Sequence, residues 1–161
     1  MAEIIIQKVS GVSWRDINVS ASVGRGGINK RDDVMVIQAL MKYGLEGIDW
    51  FRGEIFPAPN GIADQGLIKK IERYQRYLRS TNRRVSVDGR IDPARGMRTG
   101  RNNNLMYTIQ QLNSQAEGRC VMMYNDFKNL DRYIDDIRQK YPQVDAILSG
   151  TNVGTLNLGL E

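Results

Sequence analysis

The chain has no histidine, and its 161 residues include a single cysteine, Cys120. The first absence excludes Ser-His-Asp and Cys-His catalysis, HExxH metalloprotease chemistry and most zinc sites. The second excludes an intrachain disulfide and a thiolate cluster. Cys120 sits in Arg119-Cys120-Val121-Met122-Met123, which reads as a buried segment with an inert thiol. No apolar run approaches the roughly 18 residues of a membrane span. The opening Met1-Ala2-Glu3-Ile4-Ile5-Ile6-Gln7-Lys8 is acidic early and too short in apolar residues for a secretory signal. The expectation is synthesis in the cytoplasm without a signal peptide, with any export by a signal-independent system. No membrane contact and no cofactor or metal is expected.

What is present is an ordinary apolar share, 41%, enough for one core, and an uneven charge. Between Lys69 and Arg101 eleven basic residues face Glu72, Asp88 and Asp92; that segment is +8, so the remainder of the +5 chain is −3. A basic surface of this kind suits an anionic partner, and equally it is what a solvated helix face plus a basic loop looks like.

Periodicity divides the chain. Ile4–Ile6 and the alternating Ile17, Val19, Ala21 and Val23 read as strands paired across Gly11–Trp14. A helix is expected from about Lys30 to Tyr43, with Asn29 as N-cap, Asp32 and Asp33 in its first turn and Gly44 as its stop. Glu46 to Pro59 reads as a long loop whose Trp50, Phe51 and Phe56 either cap the core or form an exposed binding loop. A second helix spans about Asp64 to Leu78, with Leu67, Ile71, Tyr74 and Leu78 on one face. Val85 and Val87 suggest a short strand, and Ala94–Asn104 a loop. A third helix carries Leu105, Ile109 and Leu112, and a fourth, about Asp126 to Lys140, carries Phe127, Leu130, Ile134 and Ile137. Tyr141-Pro142 breaks it, and a short helix and a tail, with a strand candidate at Thr155–Leu158, complete the chain.

One phrase is written twice. Asn60-Gly61-Ile62-Ala63-Asp64 and Asp88-Gly89-Arg90-Ile91-Asp92 each place a turn-forming Asn/Asp-Gly pair ahead of an Asp expected to cap a helix, the second followed by Pro93. Between them lies Tyr74-Gln75, and before them Asn29-x-x-Asp32-Asp33-Val34-x-x-Ile37-Gln38-x-Leu40. This order resembles the peptidoglycan-binding-like domain family, in which a D-V-x-x-L-Q-x-x-L helix, a D-G turn, a helix ending in F-Q and a second D-G turn follow one another. The stretch Ser22–Asn29 resembles variants linked to contractile (type VI) secretion systems, and the likeness covers about residues 23–113. Here Tyr74 stands for the Phe, and Glu46–Pro59 separates the first helix from its turn.

The resemblance implies a mainly α fold: a three-helix peptidoglycan-binding-like core (29–113), a small N-terminal β-hairpin (1–28) and an added C-terminal helical segment and tail (114–161). It implies a non-catalytic module that binds peptidoglycan or its stem peptides, associated with a bacterial secretion or phage-tail-like system. The alternative is a protein adaptor, structural or effector-associated component with the fold and no wall affinity. Near the two turns Arg90, Tyr77, Arg76 and Asn60 are the candidate ligand residues, because arginine pairs with carboxylates and tyrosine offers a flat face. A wall-cleaving enzyme built on Glu46, Asp49 and Glu54 has no readable carboxylate spacing in its favour. Nucleic acid is not an expected partner, since no recognition motif accompanies the basic segment. Gln38 and Gln75 are expected to satisfy buried loop groups.

Overall fold

The computed structural model describes residues 1–9, 11–95, 107–150 and 154–157. The expected loop beyond residue 95, Leu105, Arg98, Arg101 and Leu158 lie outside them. The fold is mainly α with a small N-terminal hairpin. Strands β1 (Glu3–Val9) and β2 (Val12–Asn18) pair antiparallel, Ile4 opposite Ile17 and Gln7 opposite Trp14, so Trp14 belongs to the strand rather than the turn. Strand β5 (Gly154–Asn157) adds to the other edge of β1 in parallel, with Ile5 opposite Gly154. The two ends of the chain therefore share one sheet.

Helix α1 (Arg31–Leu45) is central. From Asp33 to Leu45 nearly every residue is buried, which is the pattern of a helix enclosed on all sides rather than of a surface helix with one stripe. Two expectations at its ends are corrected. Asn29 does not cap it: the Asn29 backbone is left-handed (φ 55°), and its amide instead accepts from Gly24 N (2.7 Å) and donates to the carbonyls of Gly24 and Gly27 (3.0 Å each). Gly44 does not stop it: the helix runs on to Leu45, and Gly44 is where α3 (Thr108–Tyr124) crosses, an added Cβ meeting Ala116 N at 3.3 Å. Of the two first-turn acids, Asp33 is buried and accepts from Ser20 N, Ser20 Oγ and Ala21 N, tying α1 to the segment after β2.

Helix α2 (Gln65–Ser80) begins as expected. Asp64 caps it, accepting from Leu67 N at 2.8 Å. Beyond it the expected strand at Val85–Val87 lies later, as β4 (Arg90–Ile91), pairing antiparallel with β3 (Val23–Gly24). No helix opens at Pro93 among the described residues; Asp92 pairs with Arg90 instead of capping (3.0 Å). Gly24 is required at this crossing, because its φ is +107° and a Cβ would lie 2.2 Å from the Gly89 carbonyl oxygen.

Helix α3 runs unbroken from Thr108 to Tyr124 and ends on a left-handed Asn125. The fourth helix is shorter than its periodicity suggests: α4 spans Arg132–Lys140, because Asp126 accepts from Lys128 N and Asn129 N in a local turn that leaves Phe127 exposed. Helix α5 (Pro142–Ser149) follows the Tyr141-Pro142 break. No helix among the described residues is long and apolar enough to cross a membrane.

An ion cluster fastens the hairpin to α4. Arg15 on β2 bonds Asp131 through its backbone N–H (2.9 Å) and guanidinium (3.0 Å), and also Asp135. Burial works against the charged form of Asp131, but the Arg15 hydrogen bonds and charge outweigh it and hold the carboxyl below its ordinary value. A depressed carboxyl contributes stability above its unfolded pKa and loses it as pH falls through the folded one. Stability is therefore expected to fall below about pH 4, the ordinary carboxylate range, and Asp131→Asn is expected to flatten that fall. Circular dichroism melts between neutral pH and pH 2 check this; an unchanged slope in the variant would refute it.

Candidate functional site

The repeated phrase is repeated in space. On α1, Gln38 Oε1 accepts from Asn60 N (2.9 Å) and Gly61 N (2.8 Å), while its Nε2 donates to Asn60 Oδ1 (2.8 Å) and the Ile62 carbonyl (3.1 Å). On α2, Gln75 Oε1 accepts from Asp88 N (3.1 Å) and Gly89 N (2.9 Å), while its Nε2 donates to Asp88 Oδ1 (3.0 Å) and the Arg90 carbonyl (2.8 Å). In each turn the Asn or Asp Oδ1 also accepts the N–H two residues on, Ile62 (2.9 Å) and Arg90 (3.0 Å). Each glycine has a positive φ, Gly61 at 75° and Gly89 at 71°, and an added Cβ would crowd Arg31 at Gly61 and Glu72 and Ile68 at Gly89. Two helices thus hold two turns by one five-bond pattern.

The amphipathicity of α2 sets what lies beside the second turn. Leu67, Ile68, Ile71, Tyr74, Gln75 and Leu78 are buried, leaving Lys69, Arg73, Arg76 and Arg79 on the wet side. The Glu46–Pro59 loop folds onto this helix. Phe51 and Phe56 are buried in edge contact (6.0 Å between centroids), which is the core-capping reading. Trp50 is 42% exposed and leans on half-buried Tyr77 at 5.7 Å, which keeps the binding-loop reading for that one ring. Arg73 holds the loop down, donating to the Trp50 carbonyl (2.8 Å) and pairing with Glu54. Beneath, Tyr74 stacks on Tyr77 at 6.2 Å. Burial, then the neighbouring Tyr77, pushes the Tyr74 hydroxyl well above its ordinary pKa, and among the described residues it has no hydrogen-bond partner.

Of the four candidate residues, Tyr77 is brought against Trp50, while Arg76 is exposed elsewhere on α2. Arg90 stands at the second turn, 41% exposed and paired with Asp92. Asn60 belongs to the other corner, and its Oδ1 is already occupied by Gln38 and Ile62. The carboxylates considered for a hydrolase are each ion-paired: Glu46 with Lys42, Asp49 with Arg52 and Glu54 with Arg73.

Sequence reasoning missed a second exposed region. Met122 and Met123, expected inside, are 84% and 50% exposed. The helical phase carried the signal: Leu112, Ala116 and Cys120 are the buried line of α3 at spacings of four, which turns Met122 outward. Comparison with models of known protein families, with curated proteins and with solved structures gives no match.

Proposed function

We propose that this chain is a non-catalytic binding module of the peptidoglycan-binding-like kind, which holds cell-wall peptidoglycan or its stem peptides. The observation that carries this reading is the partly exposed Trp50–Tyr77 pair against α2, a helix whose Arg76 is exposed. Half-exposed rings suit the faces of sugars and peptides, and guanidinium groups suit stem-peptide carboxylates. Arg90, at the clamped second turn, supplies a further cation on exchange of its Asp92 partner. The five-bond pattern of Gln38 and Gln75 supports the family resemblance, since it gives the order of helix, turn, helix and turn a structural reason. The likeness of Ser22–Asn29 supports placing the module with a contractile secretion or phage-tail-like machine.

Sedimentation with purified insoluble peptidoglycan tests the reading. Retention at low salt is expected, with Arg76→Ala and Arg90→Ala each weakening it about tenfold, the range of charge-assisted hydrogen bonds, at unchanged melting temperature. No retention of the wild type at low salt would sink the proposal. A wall suspension is expected to keep its turbidity over hours; clearing would replace the binding reading with hydrolysis. The adaptor reading is favoured by one specific feature, the exposed apolar residues past the middle of α3.

A further inference from the structure

The outer side of α2 carries an excess of positive charge. Residues 65–84, the helix and the turn after it, hold seven cations and one acid. That acid, Glu72, pairs with Arg25, and Arg73 pairs with Glu54 from the preceding loop. Lys69, Arg76, Arg79, Arg83 and Arg84 are exposed, and among the described residues none of the five has a carboxylate partner.

Helical phase gathers these groups. Lys69, Arg73, Arg76 and Arg79 follow one another at spacings of four, three and three, on the side away from the buried line of Leu67, Ile71, Tyr74 and Leu78. At the C-terminal end the N–H groups of Thr81, Asn82 and Arg83 bond back to carbonyls of the last turn, and Asn82 is left-handed (φ 63°). The chain therefore turns tightly there, and Arg83 and Arg84 continue the charge past the helix end. The helix dipole favours cations at that end, but it does not favour Lys69 near the start. Like charges three and four residues apart also repel, a cost to the helix that an anionic occupant removes. The partly exposed ring of Trp50 borders this line at Arg73, which donates to the Trp50 carbonyl (2.8 Å), while Tyr77 lies 5.7 Å from the ring.

We propose that this side of α2 binds single-stranded nucleic acid, with its phosphates on the free cations from Lys69 to Arg84 and an unpaired base on the Trp50 ring. A run of phosphates meets a run of cations without any recognition motif, because backbone contacts carry no sequence information. A flat ring beside a cationic track is the usual means of holding an unpaired base. A duplex keeps its bases stacked inside and offers Trp50 nothing. A run of carboxylates on an acidic protein meets the cations but brings no flat partner for the ring. The site goes beyond wall binding: it shares Arg76 and the Trp50–Tyr77 pair with that reading, but it rests on Lys69, Arg79, Arg83 and Arg84.

The test follows the fluorescence anisotropy of a dye-labelled oligothymidine of about twelve nucleotides, within the usual site sizes, as the full chain is added. Binding in the micromolar range is expected at about 50 mM salt, with a log–log salt slope of about −3, the value for four to five phosphates at roughly 0.7 each. Arg79→Gln and Arg83→Gln, at exposed and unpaired positions, are each expected to weaken binding about threefold or more and to make the slope shallower by about 0.7. Trp50→Ala is expected to weaken it about fivefold or more and to leave the slope unchanged, since stacking releases no counterions. Melting curves check that each variant is folded. No binding at about 50 mM salt, or a slope that neither arginine variant changes, would overturn the proposal. A duplex of the same length bound as tightly would overturn the assignment to a single strand. Displacement by polyglutamate at equal charge concentration would overturn it too, by making an acidic protein the occupant. Wall binding is decided separately, on insoluble peptidoglycan with Arg76→Ala and Arg90→Ala.

Discussion

Gln75→Leu is expected to destabilise the chain by about 3 kcal/mol and to lower its melting temperature by roughly 6–12 °C, given the usual sensitivity of domains this size. Leucine has similar bulk and no polar atoms, so the effect is dominated by the lost hydrogen bonds. Gln75 is 1% exposed, and without it the N–H groups of Asp88 and Gly89 and the carbonyl of Arg90 lose their side-chain partner. Each stranded buried group costs about 1–3 kcal/mol, and the partial exposure of Asp88 and Arg90 lets water repair some of the loss. The damage should spread to the strand pair that the turn positions, so amide exchange at Val23 and Ile91 should quicken with it. Gln38→Leu, whose turn is more exposed at Asn60, should cost about half as much. Urea and thermal melts decide; a Gln75→Leu variant as stable as the wild type would mean the clamp is incidental to the fold.

The two clamps also show which parts of this molecule can be read from residues. Asp64 as cap, the Leu67-Ile71-Tyr74-Leu78 face and the glycine turns are local: each needs only neighbours within a turn or two of chain, and all are in place. That Arg76 lies outside the buried face of α2 was legible for the same reason. What was not legible depends on a nearby competitor for the same side chain or on a partner far along the chain. Asn29 and Asp92 have the right chemistry for helix caps, but Gly24 and Arg90 compete for their side chains and win. Gly44 reads as a stop until Ala116, from a different helix, is found against it. The hold of Gln38 on the Asn60 oxygen, across 22 residues, is likewise not readable from the turn alone. The strand β5 exists only because β1, at the other end of the chain, offers it an edge.

Asn113 is the extreme of that non-local kind, and its replacement is expected to have the largest effect. Its Oδ1 accepts from Ile17 N (2.9 Å) and from the Tyr133 hydroxyl (2.6 Å), and its Nδ2 donates to the carbonyls of Ile17 (2.8 Å) and Ile109 (2.9 Å). One amide therefore joins β2, α3 and α4. Asn113, Ile17, Ile109 and Tyr133 are all at most 1% exposed, so no water stands ready to replace it, unlike at the Gln75 turn. Asn113→Leu is expected to cost about 4 kcal/mol, toward the upper range for a buried polar network broken at its centre, which corresponds to a melting shift of roughly 8–16 °C. Tyr133→Phe removes the hydroxyl that reaches Asn113 (2.6 Å) and Asp16 (3.2 Å) and leaves the Asn113 bonds to Ile17 and Ile109 in place, so it is expected to cost less, about 1–1.5 kcal/mol. Because both changes break the same contact, the double variant should be less destabilised than the sum of the two. Full additivity in urea melts would show that Tyr133 and Asn113 act separately. The expected coupling would instead make the hairpin, α3 and α4 a network fastened at Asn113, leaving the α2 turns and the Trp50–Tyr77 face to respond to their own clamp.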